Sequence, residues 1–534
     1  MTRTIESSRG AGFGGERERA YPSSVNGADG MGDAPLKAEA AEGGVWSGEG
    51  RKPRRDDPFE LVIAGLDERG AAVGAVGQFR VRVQRSSGGP PVLPGARVAG
   101  RVLRRRRDRV DGEALAVLED SPDRIAAPCP HTAECGGCSF QELDYAAQLR
   151  EKQRLARRLL GGLTADFDVR LAGWDRVLGA DDPFHYRNKM DFTFSARRWR
   201  VAGEDENQPA DFALGLFARG RHDKVLNLTT CALAHADVGR LLSAARELAQ
   251  QHGLVPWDSM QHTGFLRHLV LRAPRAGGLL VNLVTSADDA PGWRAYTEDL
   301  LARVPSITTL VHSVSTRLAT VAVGEREYLL HGPGWVEEEL LGARFRISAG
   351  SFFQTNTAQA ERLFLLARQW IESTDGLAGG ALYDLYCGGG AIGIVLAPHF
   401  ERLVGLELVE SAVLDARGNA ERNGVPSAQF LAGDVPLLLR QRAELGLPEP
   451  KLIVLDPPRV GLQTATPGLL GQIGAPYLLL VSCNLTAAAR DLAALDAEGY
   501  RVARAALVDL FPHTPHLEGL FLLERVAPSR EVPQ

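Results

Sequence analysis

Cysteine is scarce in this chain, with six residues among 534. That is too few for the disulfide framework of a secreted scaffold, so the grouping of the cysteines matters more than their number. Long apolar runs are missing as well: nothing approaches the roughly 18 to 20 residues that a membrane-spanning helix requires. The opening residues, MTRTIESSRGAGFGGERERA, have no apolar centre of a secretory signal. These absences exclude a disulfide scaffold and a membrane partner, and a cytoplasmic address follows; a monomer is expected. An excess of positive charge is also lacking. The formal net charge of -5 argues against a uniformly basic nucleic-acid binder, although such a sum averages over local patches.

What is present divides the chain into four parts. Residues 1–55 are rich in Gly, Ser, Glu, Arg and Ala without hydrophobic period. Such a composition cannot offset the entropy of ordering, and a disordered tail is expected. Over 56–122, short β-rich runs alternate with Gly, Pro and Asp turns, as in a small β-barrel of the OB-like kind. Its segment RVLRRRRDRV carries Arg101, Arg104, Arg105, Arg106, Arg107 and Arg109, a density of cations suited to phosphates; a charge-protected edge strand reads the same way. Residues 123–350 open with CPHTAECGGC and a helix in LDYAAQLREKQRLARRLLGGL, then turn β-rich apart from one helix near 236–252. Within them, HYRNKMDFTFSARRWR interleaves Tyr186, Phe192, Phe194 and Trp199 with arginine and lysine. That pattern fits unpaired RNA or DNA, and equally an ordinary amphipathic strand pair.

From 351 to 534 a helix beginning near Thr357 precedes short continuous apolar strands that alternate with helical text. This is the pattern of an α/β fold with a parallel, doubly wound sheet, whose ligands sit beyond the carboxyl ends of the strands. Gly388, Gly390 and Gly393 form G-x-G-x-x-G after the first strand, and Glu407 closes the next. The glycines allow close backbone approach, and the carboxylate suits a ribose diol. That cradle fits NAD and S-adenosylmethionine alike. The later strand ending in Asp456-Pro457-Pro458 favours S-adenosylmethionine.

Cys129, Cys135 and Cys138 lie within ten residues in a Gly- and Pro-containing loop, and read as metal ligands. Cys387 and Cys483 belong to the sheet, which leaves Cys231 as the fourth thiol. Zinc remains open, with His131 or His235 as substitute ligands, and so does a [4Fe–4S] cluster, which the three-plus-one spacing favours. Cys483 stands where the strand YLLLVS ends and a polar loop begins. Taken alone, it reads as core residue, metal ligand or nucleophile.

The motifs CPHTAECGGCSFQ, YRNKMDF, GFLRHLVLR, SFFQTN, DLYCGGGAIGI, LDPPRVGL, SCN and FPHTPHLE, in this order, resemble the bacterial RNA uracil-5-methyltransferases. The resemblance is closest to those with a TRAM barrel and an iron–sulfur cluster that act on large-subunit (23S) ribosomal RNA. It implies a Rossmann-like methyltransferase sheet, a [4Fe–4S] cluster on Cys129, Cys135, Cys138 and Cys231, and S-adenosylmethionine held by Gln354, Tyr386, Glu407 and Asp456. It further implies RNA as substrate, ribosomal before transfer, with Cys483 as nucleophile and Glu518 as general base. His513 and His516 are the alternative bases.

Overall fold

Tyr477–Ser482 is an unbroken apolar strand because both of its faces are covered. Leu478 and Leu480 enter one buried cluster with Leu485, Ala488 and Leu492, while Leu479 and Val481 enter another with Leu363, Phe364 and Ala367. Alternate side chains of a strand point to opposite faces, so a sheet layered on both sides loses the apolar–polar alternation. The computed structural model describes residues 45–49, 51–85, 88–161, 176–205, 207–319 and 321–526. Most of the expected tail, 1–44, lies outside the described residues.

The strand belongs to an eight-stranded sheet in an α/β fold. Its order is Ala428–Ala432, Arg402–Glu407, Ala381–Leu385, Pro450–Leu455, Tyr477–Ser482, Glu518–Arg525, Tyr500–Val508 and Val177–Leu178. The first five are mutually parallel, and the order reverses on either side of Ala381–Leu385. Ligands of such sheets bind at this reversal. The expected parallel, doubly wound pattern holds through these five strands, and the far side departs from it: Glu518–Arg525 runs antiparallel to both neighbours. The connection 509–517 is too short for the helical crossover that a parallel return requires.

Ahead of this sheet lie two others. Pro58–Val62 starts a six-stranded sheet that ends on Gly65–Leu66, its own continuation, so the strands close into a small barrel. Trp46 corrects the expected tail boundary: it is 3% exposed, its ring lies 5.3 Å from that of Phe79, and its N–H donates to Pro58 O at 2.7 Å. A lone large aromatic beside a barrel adds apolar burial that the polar composition around it hides. The central seven-stranded sheet spans Lys189–Ser195 to Arg326–His331. It carries the expected helix Val238–Gln251 and an unexpected one, Trp293–Arg303, which buries only Trp293, Tyr296, Thr297 and Leu300. So narrow an apolar face leaves little helical period to read.

Phe192 and Phe194 are 0% and 1% exposed. The middle of the basic aromatic segment is therefore an amphipathic strand whose two phenylalanine rings lie in the core and are not available to stack on bases, while Tyr186 and Trp199 are half-buried on either side of it.

Candidate active site

The glycine turn leaves Ala381–Leu385 at Tyr386, whose φ of 62° is rare for a residue with a side chain. Tyr386 N and Cys387 N both donate to Leu406 O, at 2.8 and 3.2 Å, which holds this conformation in place. Gly390 follows at φ 79° and begins the helix Ala391–Leu396. Gly393 is required for a different reason: a Cβ there would stand 2.7 Å from Asp384 Oδ2, the atom that accepts the Gly393 N–H at 2.9 Å. Helix and strand thus approach at backbone distance. Glu407 closes the turn from the next strand, accepting from Gly388 N at 3.0 Å through Oε2 and from Val409 N at 2.8 Å through Oε1.

Two more acids gather here. Burial pushes the Asp384 carboxyl up to about 7, reinforced by the charges of Asp456 and Glu407, and burial alone brings Asp456 to about 7. Buried carboxyls raised in this way suit a positively charged ligand. The Tyr386 hydroxyl is buried beside that of Thr466, whose hydrogen bonding partly offsets the burial that raises it. Glycine turn and acids fit S-adenosylmethionine, whose sulfonium is positive and whose ribose carries hydroxyls for a carboxylate.

Cys483 and Glu518 stand at the neighbouring strand ends. Ser482 is paired with Gly519, so Cys483 and Glu518 occupy the next cross-strand position. Burial lifts the Cys483 thiol to about 11; Glu518 and Asp456 reinforce this, while Arg459 opposes it by charge and by hydrogen bonding. Burial, then the charge of Asp456, raises Glu518 well above the ordinary carboxylate range. Arg459 follows Asp456-Pro457-Pro458, and Asn484 Nδ2 donates to its carbonyl at 2.9 Å. Sequence reasoning missed Arg459 and Asp384, although both lie inside quoted motifs, LDPPRVGL and DLYCGGGAIGI. For the first, a cation directly after the Pro-Pro turn was the available signal.

Gln354 lies in the loop before helix Thr357–Ser373, is 8% exposed, and its carbonyl accepts from Asn188 Nδ2 at 2.8 Å. The same loop brings Phe352 to 3.8 Å from where a Cβ on Gly388 would stand, with that ring 64% exposed. An exposed aromatic beside a ligand turn is a stacking platform. His513 and His516 are poor bases: burial lowers both to about 4, and the first is bonded through Nδ1 to Gln148 at 3.1 Å.

Cys129, Cys135, Cys138 and Cys231 line one cavity whose walls include Met190, Leu216, Leu228 and Leu233. The cysteine loop docks on the central sheet, with Cys135 bridged to Ala218 and Gly136 N donating to Phe217 O at 3.0 Å. Burial raises Cys135 to about 11 and also lifts Cys138 and Cys231. Among the described residues no group of three or more His, Cys, Asp or Glu is arranged to hold a metal ion. The four thiols line this one cavity and act on one another electrostatically. The substitute ligands are engaged elsewhere, His131 Nε2 with Thr229 at 3.0 Å and His235 Nδ1 with Asp237 N at 3.2 Å.

On the barrel, Arg51, Lys52, Arg80, Arg105, Arg106, Arg107 and Arg109 surround a concavity of about 570 Å³ that also includes Phe79. Asp111 holds Arg106 and Arg109, at 2.6 and 3.0 Å. Arg105 and Arg107 are exposed. No helix among the described residues is long and apolar enough to cross a membrane.

Residues 293–526 match the sequence profile of the family described as tRNA (Uracil-5-)-methyltransferase. An uncharacterized RNA methyltransferase of Chlorobaculum tepidum is 41% identical over 446 residues, covering 81% of this chain and 90% of its own. A second, from Caldanaerobacter subterraneus subsp. tengcongensis, is 35% identical and covers 87% and 99%. Among solved structures, the Pyrococcus abyssi tRNA (uracil-54, C5)-methyltransferase in complex with S-adenosyl-L-homocysteine superposes with a TM-score of 0.66 at 25% identity, over 87% of this chain and 100% of that one.

Proposed function

This chain belongs to the family of S-adenosylmethionine-dependent RNA (uracil-5-)-methyltransferases, and from that premise we propose that it methylates carbon 5 of a uridine in ribosomal RNA through a covalent bond from Cys483 to carbon 6. One observation carries the reading: the Ser482–Gly519 pairing that sets a thiol beside a buried carboxyl at the rim of the cofactor cradle. Carbon 5 of uracil is a poor nucleophile. Addition of the Cys483 thiolate to carbon 6 makes the ring an enolate whose carbon 5 can attack an electrophilic methyl group. S-adenosylmethionine, when bound, supplies that methyl group on its sulfonium.

Arg459 favours the thiolate, since it opposes the burial that holds Cys483 protonated. Gln354, Tyr386, Glu407 and Asp456 orient the cofactor, and Phe352 receives the base as it leaves its stack. Glu518 then takes the proton from carbon 5. The electron pair of that C–H bond forms the 5,6 double bond as the sulfur–carbon 6 bond breaks, and the thiolate is restored. A carboxyl raised above its ordinary range is a stronger base than one near 4. The barrel arginines grip phosphates. Cys129, Cys135, Cys138 and Cys231 would hold a [4Fe–4S] cluster, a reading supported by four thiols on one apolar-walled cavity; its place would be structural, because methyl transfer needs no electron.

With 5-fluorouridine in the RNA, carbon 5 holds fluorine where Glu518 would take a proton, so the methylated adduct persists through denaturing electrophoresis. Cys483→Ala abolishes adduct and turnover, and Glu518→Gln traps RNA without fluorine. Full turnover in Cys483→Ala would sink the covalent reading. A transfer-RNA substrate is the second reading, favoured by the family description and by the Pyrococcus enzyme. Mapping 5-methyluridine in both RNA classes from cells with and without the gene decides between them.

A further inference from the structure

The irregular segment 509–517 carries Glu518 at its far end. Five successive carbonyls in it are taken by groups from outside the segment. Asp509 O accepts from Gln359 Nε2 at 3.0 Å, Leu510 O from Asn356 Nδ2 at 3.1 Å, Phe511 O from Lys152 Nζ at 3.0 Å, Pro512 O from Tyr186 Oη at 3.1 Å and His513 O from Ser139 N at 2.9 Å. Gln148 completes the grip: its Oε1 accepts from His513 N at 3.0 Å, and its amide nitrogen stands 3.1 Å from His513 Nδ1. His513 is held at φ 65°, a conformation that persists only where its surroundings over-determine it. Lys152 is anchored in turn, its ammonium 2.5 Å from Asp509 Oδ1 with both side chains buried.

Ser139, Gln148 and Lys152 come from the cysteine loop and the helix Tyr145–Leu160 that follows it, and Tyr186 from the loop that enters the central sheet at Lys189–Ser195; none of the four lies on the methyltransferase sheet. Cys483 and the glycine turn stand outside the grip: none of its bonds involves them. Loosening it therefore leaves thiol addition and methyl transfer in place and moves the base. Proton abstraction falls off steeply with small displacements of the abstracting group.

We propose that Gln148, Lys152 and Tyr186 are positioning residues that set the Glu518 carboxyl against carbon 5 of the Cys483-bound uracil, and so govern release of the methylated base. This rests on the covalent reading above.

Two variants test it in the full-length protein. Tyr186→Phe removes one hydroxyl and keeps the ring, and Gln148→Leu removes both bonds to His513. Lys152→Met is not used, because it strands Asp509 in the interior. The substrate is bulk RNA from cells lacking the gene, with radiolabelled S-adenosylmethionine. First-turnover methyl transfer, measured with enzyme in excess, should stay within about threefold of wild type. Steady-state turnover should fall about tenfold in Gln148→Leu, and less in Tyr186→Phe, with covalent complex accumulating without fluorine. If Gln148→Leu does not fold, Tyr186→Phe alone decides. Parallel loss of first-turnover and steady-state rates, or no change in either, overturns the proposal. Glu518→Gln is the control. If it traps no RNA, the covalent reading itself fails; if it traps RNA while the two variants do not, only the positioning role fails.

Discussion

Cys483 and Glu518 are cross-strand neighbours, brought together by the pairing of Ser482 with Gly519 between antiparallel strands. Residues so placed have Cβ atoms about 5 Å apart, and the thiol registers that proximity: the Glu518 charge adds to the burial that raises it. A parallel Glu518 strand would have put the acid at the opposite edge of the sheet.

Arg459 opposes burial at the Cys483 thiol. Arg459→Leu should raise that thiol further above about 11 and slow adduct formation about tenfold at pH 8, with Arg459→Lys intermediate. The measurement is the pH profile of single-turnover adduct formation on fluorinated RNA. A profile superimposable on wild type would remove Arg459 from the chemistry.

Asp384 is raised by burial to about 7. Between about pH 4 and pH 7 the folded cofactor-free protein holds a proton that the unfolded chain has already released. Stability therefore falls as pH climbs through that window and is level above it. Asp384→Asn keeps an acceptor for Gly393 N but lacks this slope, so its stability relative to wild type should grow by about 1 kcal/mol or more from pH 4.5 to pH 7. Chemical denaturation at several pH values checks this, and parallel curves would show an ordinary carboxyl.

Gly393→Ala places a methyl group 2.7 Å from Asp384 Oδ2 and 2.9 Å from Leu403 Cδ1. The helix Ala391–Leu396 must shift off the strand, at a cost of about 1–3 kcal/mol. Calorimetric titration should show weaker S-adenosylmethionine binding together with the lost stability. Unchanged affinity would separate the glycine turn from the cofactor.

Deleting residues 1–44 should leave turnover within about twofold, since their composition builds no core. Deleting 1–55 also removes Trp46 from the barrel interior, where loss of a large aromatic costs about 3–5 kcal/mol. Equal melting curves for the two truncations would refute the distinction.

Anaerobic purification should yield brown protein with about four irons per chain. Stoichiometric zinc without iron would return the four cysteines to the zinc reading.

Much of the site was legible because its chemistry is local. The glycine turn, Glu407 and the Asp456-Pro457-Pro458 strand end each lie at or beside the end of a strand, and strand ends can be read from where apolar runs stop. Helices starting at Tyr145 and Thr357 were legible from their periodicity. What depended on distant partners was not. Phe192 and Phe194 looked available for RNA until the sheet buried them, and Arg459 had no evident role until the fold set Cys483 beside it. Where the strands end, and which residue types stand there, follows from propensity and apolar period, which act over a few neighbours. The antiparallel return of Glu518 beside Cys483, and the grip of Gln148, Lys152 and Tyr186 on the segment before it, arise from the packing of distant elements. Those contacts join residues more than three hundred positions apart, and no local pattern encodes which surface will cover them.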